Sequence, residues 1–186
     1  MDSKLQIISG VYRGRKLRLP FGARPTQNRA RIALFNMLDS GIMDTSGGFV
    51  VWDAFAGSGA FGIECLSRYA GARVMFTDVA PTSIKTVRDN LAMLQVGTRA
   101  QVVQIDAIGA VQKYGADADL IFVDPPYADE NLGRSFVGRV GCVVRVGTIL
   151  IWEQEVGHES QPDGQYWNIL RDKQYGRARF LILQRK

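Results

Sequence analysis

The chain has 186 residues, a formal net charge of +5, and 46% hydrophobic and 22% charged residues; that length and balance suit one globular domain with a sizeable core. No apolar run approaches the roughly 20 residues a membrane span needs, and Met1-Asp2-Ser3-Lys4-Leu5 lacks the order of a signal peptide. Cys65, Cys142 and the lone His158 cannot build a disulfide framework or a zinc finger, so a cytoplasmic, metal-free protein is expected.

Charge is unevenly spread. Residues 1–31 carry eight basic side chains (Lys4, Arg13, Arg15, Lys16, Arg18, Arg24, Arg29, Arg31) against Asp2 alone, and the rest of the chain is slightly acidic. A basic arm on a near-neutral body is the footprint of a polyanion binder, although a merely solvated terminus has the same composition. The predominance of arginine favours phosphate, whose oxygens the guanidinium fork matches in pairs.

In chain order, residues 5–19 form two short runs around Ser9-Gly10 or Gly14, which predicts a small β-hairpin with a basic exposed face. Pro25 to Leu38 reads as a helix with Asn28 as N-cap and Ile32, Leu34, Phe35 and Leu38 as its apolar face. Ser46-Gly47-Gly48 breaks the chain, dividing an N-terminal extension, 1–46, from a main domain, 47–186. Beyond it, apolar runs Phe49–Trp52, Ala72–Thr77, Gln101–Ile105 and Leu120–Val123 alternate with helical stretches Ala60–Tyr69, Pro81–Leu94 and Ala107–Tyr114. Buried strands alternating with helices predict an α/β fold, a mostly parallel sheet with helices on both faces. A further helix over Leu132–Val146 and a strand over Thr148–Trp152 follow. Tyr166–Leu170 and Arg179–Gln184 have no helix between them, so the sheet should end in an antiparallel pair.

Four of these runs lead into aspartate: Asp53, Asp78, Asp106 and Asp124. Ligands of open α/β sheets bind beyond the carboxyl ends of the strands, so the four acids should gather at one rim. Helix capping is the ordinary role of an acid there and accounts for part of Asp106. The first turn, Asp53-Ala54-Phe55-Ala56-Gly57-Ser58-Gly59-Ala60-Phe61-Gly62, fits a glycine-rich dinucleotide fingerprint, with Asp78 at the distance of a ribose-binding acid. A nicotinamide-dependent dehydrogenase is the natural rival. Asp53 opposes it, because a carboxylate ahead of the turn would repel a pyrophosphate. It suits a ligand with an ammonium and a sulfonium, such as S-adenosylmethionine, whose ribose Asp78 would hold while Asp106 and Ala107 meet the adenine.

Asp124-Pro125-Pro126-Tyr127 is the sharpest motif. The prolines fix the backbone and remove two donors, so the Asp124 carboxylate and the Pro125 carbonyl can accept both protons of an exocyclic amine. Tyr127 offers a flat face for a base. Positioning and electrostatics would then carry catalysis; the alternative is a strand-ending turn that Asp-Pro commonly opens.

With these residues in place the chain resembles the class I S-adenosylmethionine-dependent amino methyltransferases. More closely, three stretches resemble the bacterial 16S rRNA (guanine(966)-N2)-methyltransferases. The likeness rests on Ile8-Ser-Gly-Val-Tyr-Arg-Gly-Arg-Lys-Leu, on Arg24-Pro-Thr-Gln-Asn-Arg-Ala-Arg with Leu34-Phe35-Asn36, and on Phe55-Ala-Gly-Ser-Gly-Ala-Phe-Gly-Ile-Glu-Cys-Leu-Ser-Arg. It implies a Rossmann-like, seven-stranded sheet with an antiparallel last strand, plus the hairpin and helix extension. It also implies methyl transfer from S-adenosylmethionine to guanine N2 of small-subunit (16S) rRNA, within the 30S subunit or an assembly intermediate. A monomer without membrane or metal is expected. Carried over by position, Asp53, Phe55, Gly57, Gly59, Asp78, Asp106 and Ala107 hold the cofactor, and Asp124, Pro125, Pro126 and Tyr127 hold the guanine. Arg13, Arg15, Lys16, Arg18, Arg24, Thr26 and Arg29 contact RNA. Ile32 stands where the family usually has glutamate, and Ala80 replaces a frequent acid. The motif serves adenine equally, so an adenine-N6 methyltransferase on DNA or RNA is one alternative and a non-catalytic RNA-binding protein another. His158 reads as a surface residue and Cys65 as a core residue.

Overall fold

The computed structural model describes residues 5–20, 28–126 and 129–186; Arg24, Thr26 and Tyr127 lie outside them. The elements are α1 (Asn28–Met37), β1 (Phe49–Asp53), α2 (Ala60–Arg68), β2 (Ala72–Asp78), α3 (Pro81–Leu94), β3 (Ala100–Gln104), α4 (Ala107–Tyr114), β4 (Leu120–Val123), α5 (Glu130–Gly141), β5 (Ile149–Glu155), β6 (Trp167–Tyr175) and β7 (Ala178–Arg185). They build a seven-stranded sheet in the order β3-β2-β1-β4-β5-β7-β6. β1 to β5 are parallel, and β7 runs antiparallel to both β5 and β6. This is the Rossmann-like α/β architecture expected, with its antiparallel last strand inserted beside β5.

The sheet separates two apolar layers. Val51, Phe122, Ile151 and Phe180 face α1, α2 and α3, while Trp52, Ile121, Trp152 and Leu181 face α4 and α5. Successive strand residues point to opposite faces, and these strands are apolar on both, as burial under two helical layers requires. α2 lies close on the sheet because residue 62 is glycine: a Cβ there would come within 2.4 Å of the Phe76 ring.

Several boundaries and one helix phase differ from the expectations. α1 buries Ala30, Arg31, Leu34 and Phe35, with Leu38 buried just past its end, whereas Ile32 is 39% exposed. Residues 31, 34, 35 and 38 share a face at 3.6 residues per turn, and residue 32 falls nearly opposite residue 34. α5 ends at Gly141 rather than Val146. A Cβ on Gly141 would meet Trp167 and Tyr166 at 3.0 Å, and Val146 beyond it is exposed. β6 runs on to Tyr175 through the exposed Arg171-Asp172-Lys173-Gln174; charges on an edge strand protect it from pairing further and disguise it as a loop.

The hairpin expected near the N-terminus is reduced to an antiparallel bridge of Gln6 with Lys16, flanked by Leu17 N–H to Leu5 O (2.9 Å) and Ile7 N–H to Arg15 O (3.0 Å). Leu5, Ile7 and Leu17 are buried in the same core as α1 and α2. Between them the chain is clamped to α2. The Glu64 carboxylate accepts the Ile8 and Ser9 amides at 2.8 and 2.9 Å, and Ser67 Oγ accepts from Tyr12 N and donates to Ser9 O. Gly10, at φ +82°, passes so close that a Cβ would lie 1.9 Å from Ser67 O; only glycine permits both. Arg13, Arg15, Lys16 and Arg18 stay exposed, as does Arg29 on α1.

Candidate active site

The chain winds outward from β1 to β2 and β3, then returns to place β4 on the other side of β1. Such a reversal opens a crevice at the strand ends. Here it holds a cleft of about 570 Å³ lined by Asp53, Phe55, Gly57, Asp78, Asp106, Ala107, Asp124, Pro125 and Pro126, among others. The four expected acids therefore share one cavity.

The first turn is shaped by its glycines. Gly57 and Gly59 have φ of +54° and +78°, conformations an L side chain rarely adopts. Gly59 does not line the cleft; it turns the chain into α2, where a Cβ would press on Ile63 and Val87. Asp78 secures the turn from the next strand: its Oδ2 accepts the Gly57 amide at 2.9 Å and its Oδ1 the Ala80 amide at 2.8 Å. Each oxygen keeps a further lone pair for a ligand hydroxyl. The acid the family would place at Ala80 is absent, and that position contributes its amide. Asn90, fully buried, donates to Ser58 O (3.0 Å) and exchanges hydrogen bonds with the backbone of Arg18. It ties the turn to the basic extension, a link that nothing local in the sequence announces.

Asp53 is 1% exposed. Its Oδ2 accepts the Gly62 amide at 3.1 Å, and its Oδ1 finds no hydrogen-bond partner among the described residues. Burial pushes its pKa well above the usual carboxylate range against the pull of the Gly62 bond, and the charges of Asp124 and Asp78 add to the rise. An unpartnered buried oxygen is costly, and a cationic group of a ligand would relieve it. Asp106 caps α4 by accepting the Gly109 amide at 2.8 Å, so the capping role is real while the residue also borders the cleft.

Asp124 leaves β4 into the Pro125-Pro126 turn, which is held by the Asp129 amide donating to Pro126 O at 3.1 Å. Pro125 packs against α5 where Gly133 leaves room. Asp124 is half-buried, and desolvation lifts its pKa to about 7. Phe61 and Phe122, stacked with centroids 4.1 Å apart, floor the cleft beside it.

Sequence reasoning missed the far wall. Glu153 and Glu155 from β5, with Tyr175 and Arg177 from the β6–β7 hairpin, line the same cleft, and Glu155 pairs with Arg177. The signal was available: an acid follows the apolar run Ile149–Trp152, just as acids follow the first four strands. Arg31 and Leu34 of α1 also border the cavity, whereas Arg13, Arg15, Lys16, Arg18 and Arg29 do not. Cys65 is buried with its thiol pKa raised by desolvation, and His158 is exposed outside the cleft.

Comparison with known proteins identifies the family of the chain. Residues 5–184 match the family described as Conserved hypothetical protein 95. The chain is 34% identical to Ribosomal RNA small subunit methyltransferase D of Escherichia coli strain K12 over 189 aligned positions, covering 100% of this chain and 92% of that protein. The solved structure of the Escherichia coli protein yhhF superposes with a TM-score of 0.83 at 31% identity, covering 98% of both chains. The fold alone is shared with the Thermus thermophilus 16S rRNA N2 G1207 methyltransferase RsmC (TM-score 0.69, 18% identity, 89% of this chain and 45% of that one). By sequence over its whole length, and by structure over nearly all of it, the chain belongs to the Conserved hypothetical protein 95 family, that of the ribosomal RNA small subunit methyltransferases D.

Proposed function

We propose that this chain transfers a methyl group from S-adenosylmethionine to the exocyclic N2 amine of a guanine in small-subunit (16S) ribosomal RNA. The observation that carries the reading is one cleft in which the Asp53 and Asp78 wall meets the Asp124-Pro125-Pro126 turn. Family membership and the name of the Escherichia coli relative support it.

The residues suit the methyl donor. The unpartnered Asp53 Oδ1 calls for a cation, Asp78 keeps lone pairs for two ribose hydroxyls, and Phe55, Gly57, Asp106 and Ala107 border the remaining length of the cavity. When bound, S-adenosylmethionine supplies an electrophilic methyl on a sulfonium. Asp124 and the Pro125 carbonyl accept the two N2 protons, which orients the amine and turns its lone pair toward the donor. Transfer of the methyl would form the N–C bond as the S–CH3 bond breaks, leaving S-adenosylhomocysteine; the amine then sheds a proton, and Asp124, with its pKa near 7, is matched to take it. The base must be unpaired or flipped out to enter, and Tyr127 would stack on it.

In the same reading, residues 1–46 form the RNA-contacting extension and 47–186 the methyltransferase domain, acting as a cytoplasmic monomer on the 30S subunit or an assembly intermediate. Arg13, Arg15, Lys16, Arg18 and Arg29, with Arg24 and Thr26, supply phosphate affinity, and RNA shape selects the site. The test incubates the purified chain and tritiated S-adenosylmethionine with unmethylated small subunits, naked small-subunit rRNA and double-stranded DNA, then identifies the labelled nucleoside. N2-methylguanosine from subunit or rRNA is expected; N6-methyladenine, or no label with the cofactor bound, overturns the substrate assignment.

A further inference from the structure

Glu153, at the end of β5, is 4% exposed and lines the cleft. Its Oε2 has no hydrogen-bond partner among the described residues. β4 and β5 run parallel with Val123 opposite Trp152, so the next residues along, Asp124 and Glu153, stand side by side at the strand ends. Burial raises the Glu153 pKa, and the Asp124 charge adds to the rise. Ile151 and Trp152, which precede it, and Phe180, which pairs with it on β7, are apolar, while Gln154 follows it. Packing alone would accept an apolar side chain there, and a buried oxygen left unpaired is a cost to the free protein. Among the described residues no three His, Cys, Asp or Glu side chains are grouped to hold a metal ion. A hydrogen-bond donor on a ligand in the cleft would satisfy this oxygen.

Guanine carries such a donor. Its N1–H lies next to the N2 amine, so the base presents two adjacent donor groups, whereas the ring nitrogen beside the adenine amine is an acceptor without a hydrogen. We propose that Glu153 accepts the guanine N1–H while Asp124 and Pro125 hold the N2 amine, and so selects guanine over bases whose ring nitrogen beside the amine bears no hydrogen. This rests on the guanine-N2 reading above and makes Glu153 its specificity-determining residue. Two neighbouring acceptors meet two neighbouring donors; against a ring nitrogen without hydrogen, the Glu153 oxygen stays buried and unpaired. Sites built on a buried hydrogen bond reject analogues lacking it far more strongly than apolar pockets do.

The experiment compares two substrates at pH 8. Small-subunit rRNA is prepared by ligation with either guanine or 2-aminopurine at the position labelled in the preceding assay. 2-Aminopurine keeps the exocyclic amine and lacks N1–H. The wild-type chain should favour guanine by at least about 100-fold in kcat/KM. Glu153→Gln, whose amide can turn a donor toward N1, should slow guanine by about 10-fold, leave 2-aminopurine unchanged or faster, and compress the ratio to below about 10. A titration with S-adenosylmethionine checks that the variant is folded. A wild-type ratio under about threefold overturns the proposal without any variant, and so does a variant that slows both substrates equally. An unlabelled guanine in the unmodified RNA overturns the guanine reading itself, whereas a labelled guanine with an unchanged ratio overturns only the role of Glu153.

Discussion

Replacing Glu64 with glutamine should loosen the basic extension from the catalytic body. Glu64 is fully buried, and its two oxygens accept the Ile8 amide at 2.8 Å, the Ser9 amide at 2.9 Å and Arg68 Nε at 2.8 Å. An amide keeps one acceptor oxygen and turns an NH2 donor toward the second backbone N–H. One hydrogen bond to a charged group is lost, worth about 1.5–3 kcal/mol, and a buried donor is left without a partner at about 1–3 kcal/mol. With partial relaxation the sum is about 3 kcal/mol. For a chain of this size that lowers Tm by about 6–12 °C. Thermal unfolding followed by circular dichroism measures it, and proteolysis under native conditions should cut first between residues 8 and 16. Because Asp53 and Asp78 are untouched, S-adenosylmethionine affinity should hold while RNA affinity falls. A Tm within about 2 °C of wild type would refute the reasoning and reduce the clamp to an incidental feature.

Titration of Asp124 should govern activity: kcat/KM should rise through about pH 7 as the carboxyl ionises to an acceptor, and Asp124→Asn should flatten that limb at a much lower rate. The stability contribution has the opposite sign. A carboxyl whose pKa is raised by folding binds protons more tightly in the native state, so its contribution is lost as pH rises from about 4 through 7; urea unfolding of the free protein should show less pH loss in Asp124→Asn. Gly62→Ala, which drives a Cβ to 2.4 Å from the Phe76 ring, should cost about 1–3 kcal/mol, read as a lowered denaturant midpoint, and an unchanged midpoint would mean α2 can slide. Replacing Arg13, Arg15, Lys16 and Arg18 with alanine should make the plot of log RNA affinity against log salt shallower by about 3, at roughly 0.7–0.9 for each phosphate no longer neutralised. An unaltered slope would remove these side chains from the RNA interface.

The parts of the fold that were legible share a local cause. β4, α3 and α4 match their expected limits and β1, β2 and α2 fall within one residue, because apolar runs, Pro81 at a first turn and the closing aspartates are written within a few positions of each boundary. α5 and β6 were misjudged where local composition misleads. Val143, Val144 and Val146 prolong an apolar pattern past the true end of the helix, and the charges of Arg171 to Lys173 hide an edge strand paired to β7. In α1 the apolar character of Ile32 outweighed helical phase, and the structure buries Arg31 in its place.

The same division runs through the candidate site. The glycine turn, Asp78 and Asp124-Pro125-Pro126 could be read from the sequence because each needs its residue type for a local reason: a positive φ, an acceptor at a strand end, a backbone without donors. The docking of Ile8 and Ser9 on Glu64, some 55 residues away, could not. Nor could the Asn90 bridge between the turn and the extension, or the meeting of Asp124 with Glu153 across the β4–β5 register. An interaction between distant segments depends on strand order, register and helix phase together. Only burial of the whole core sets those, and no short window of residues carries them.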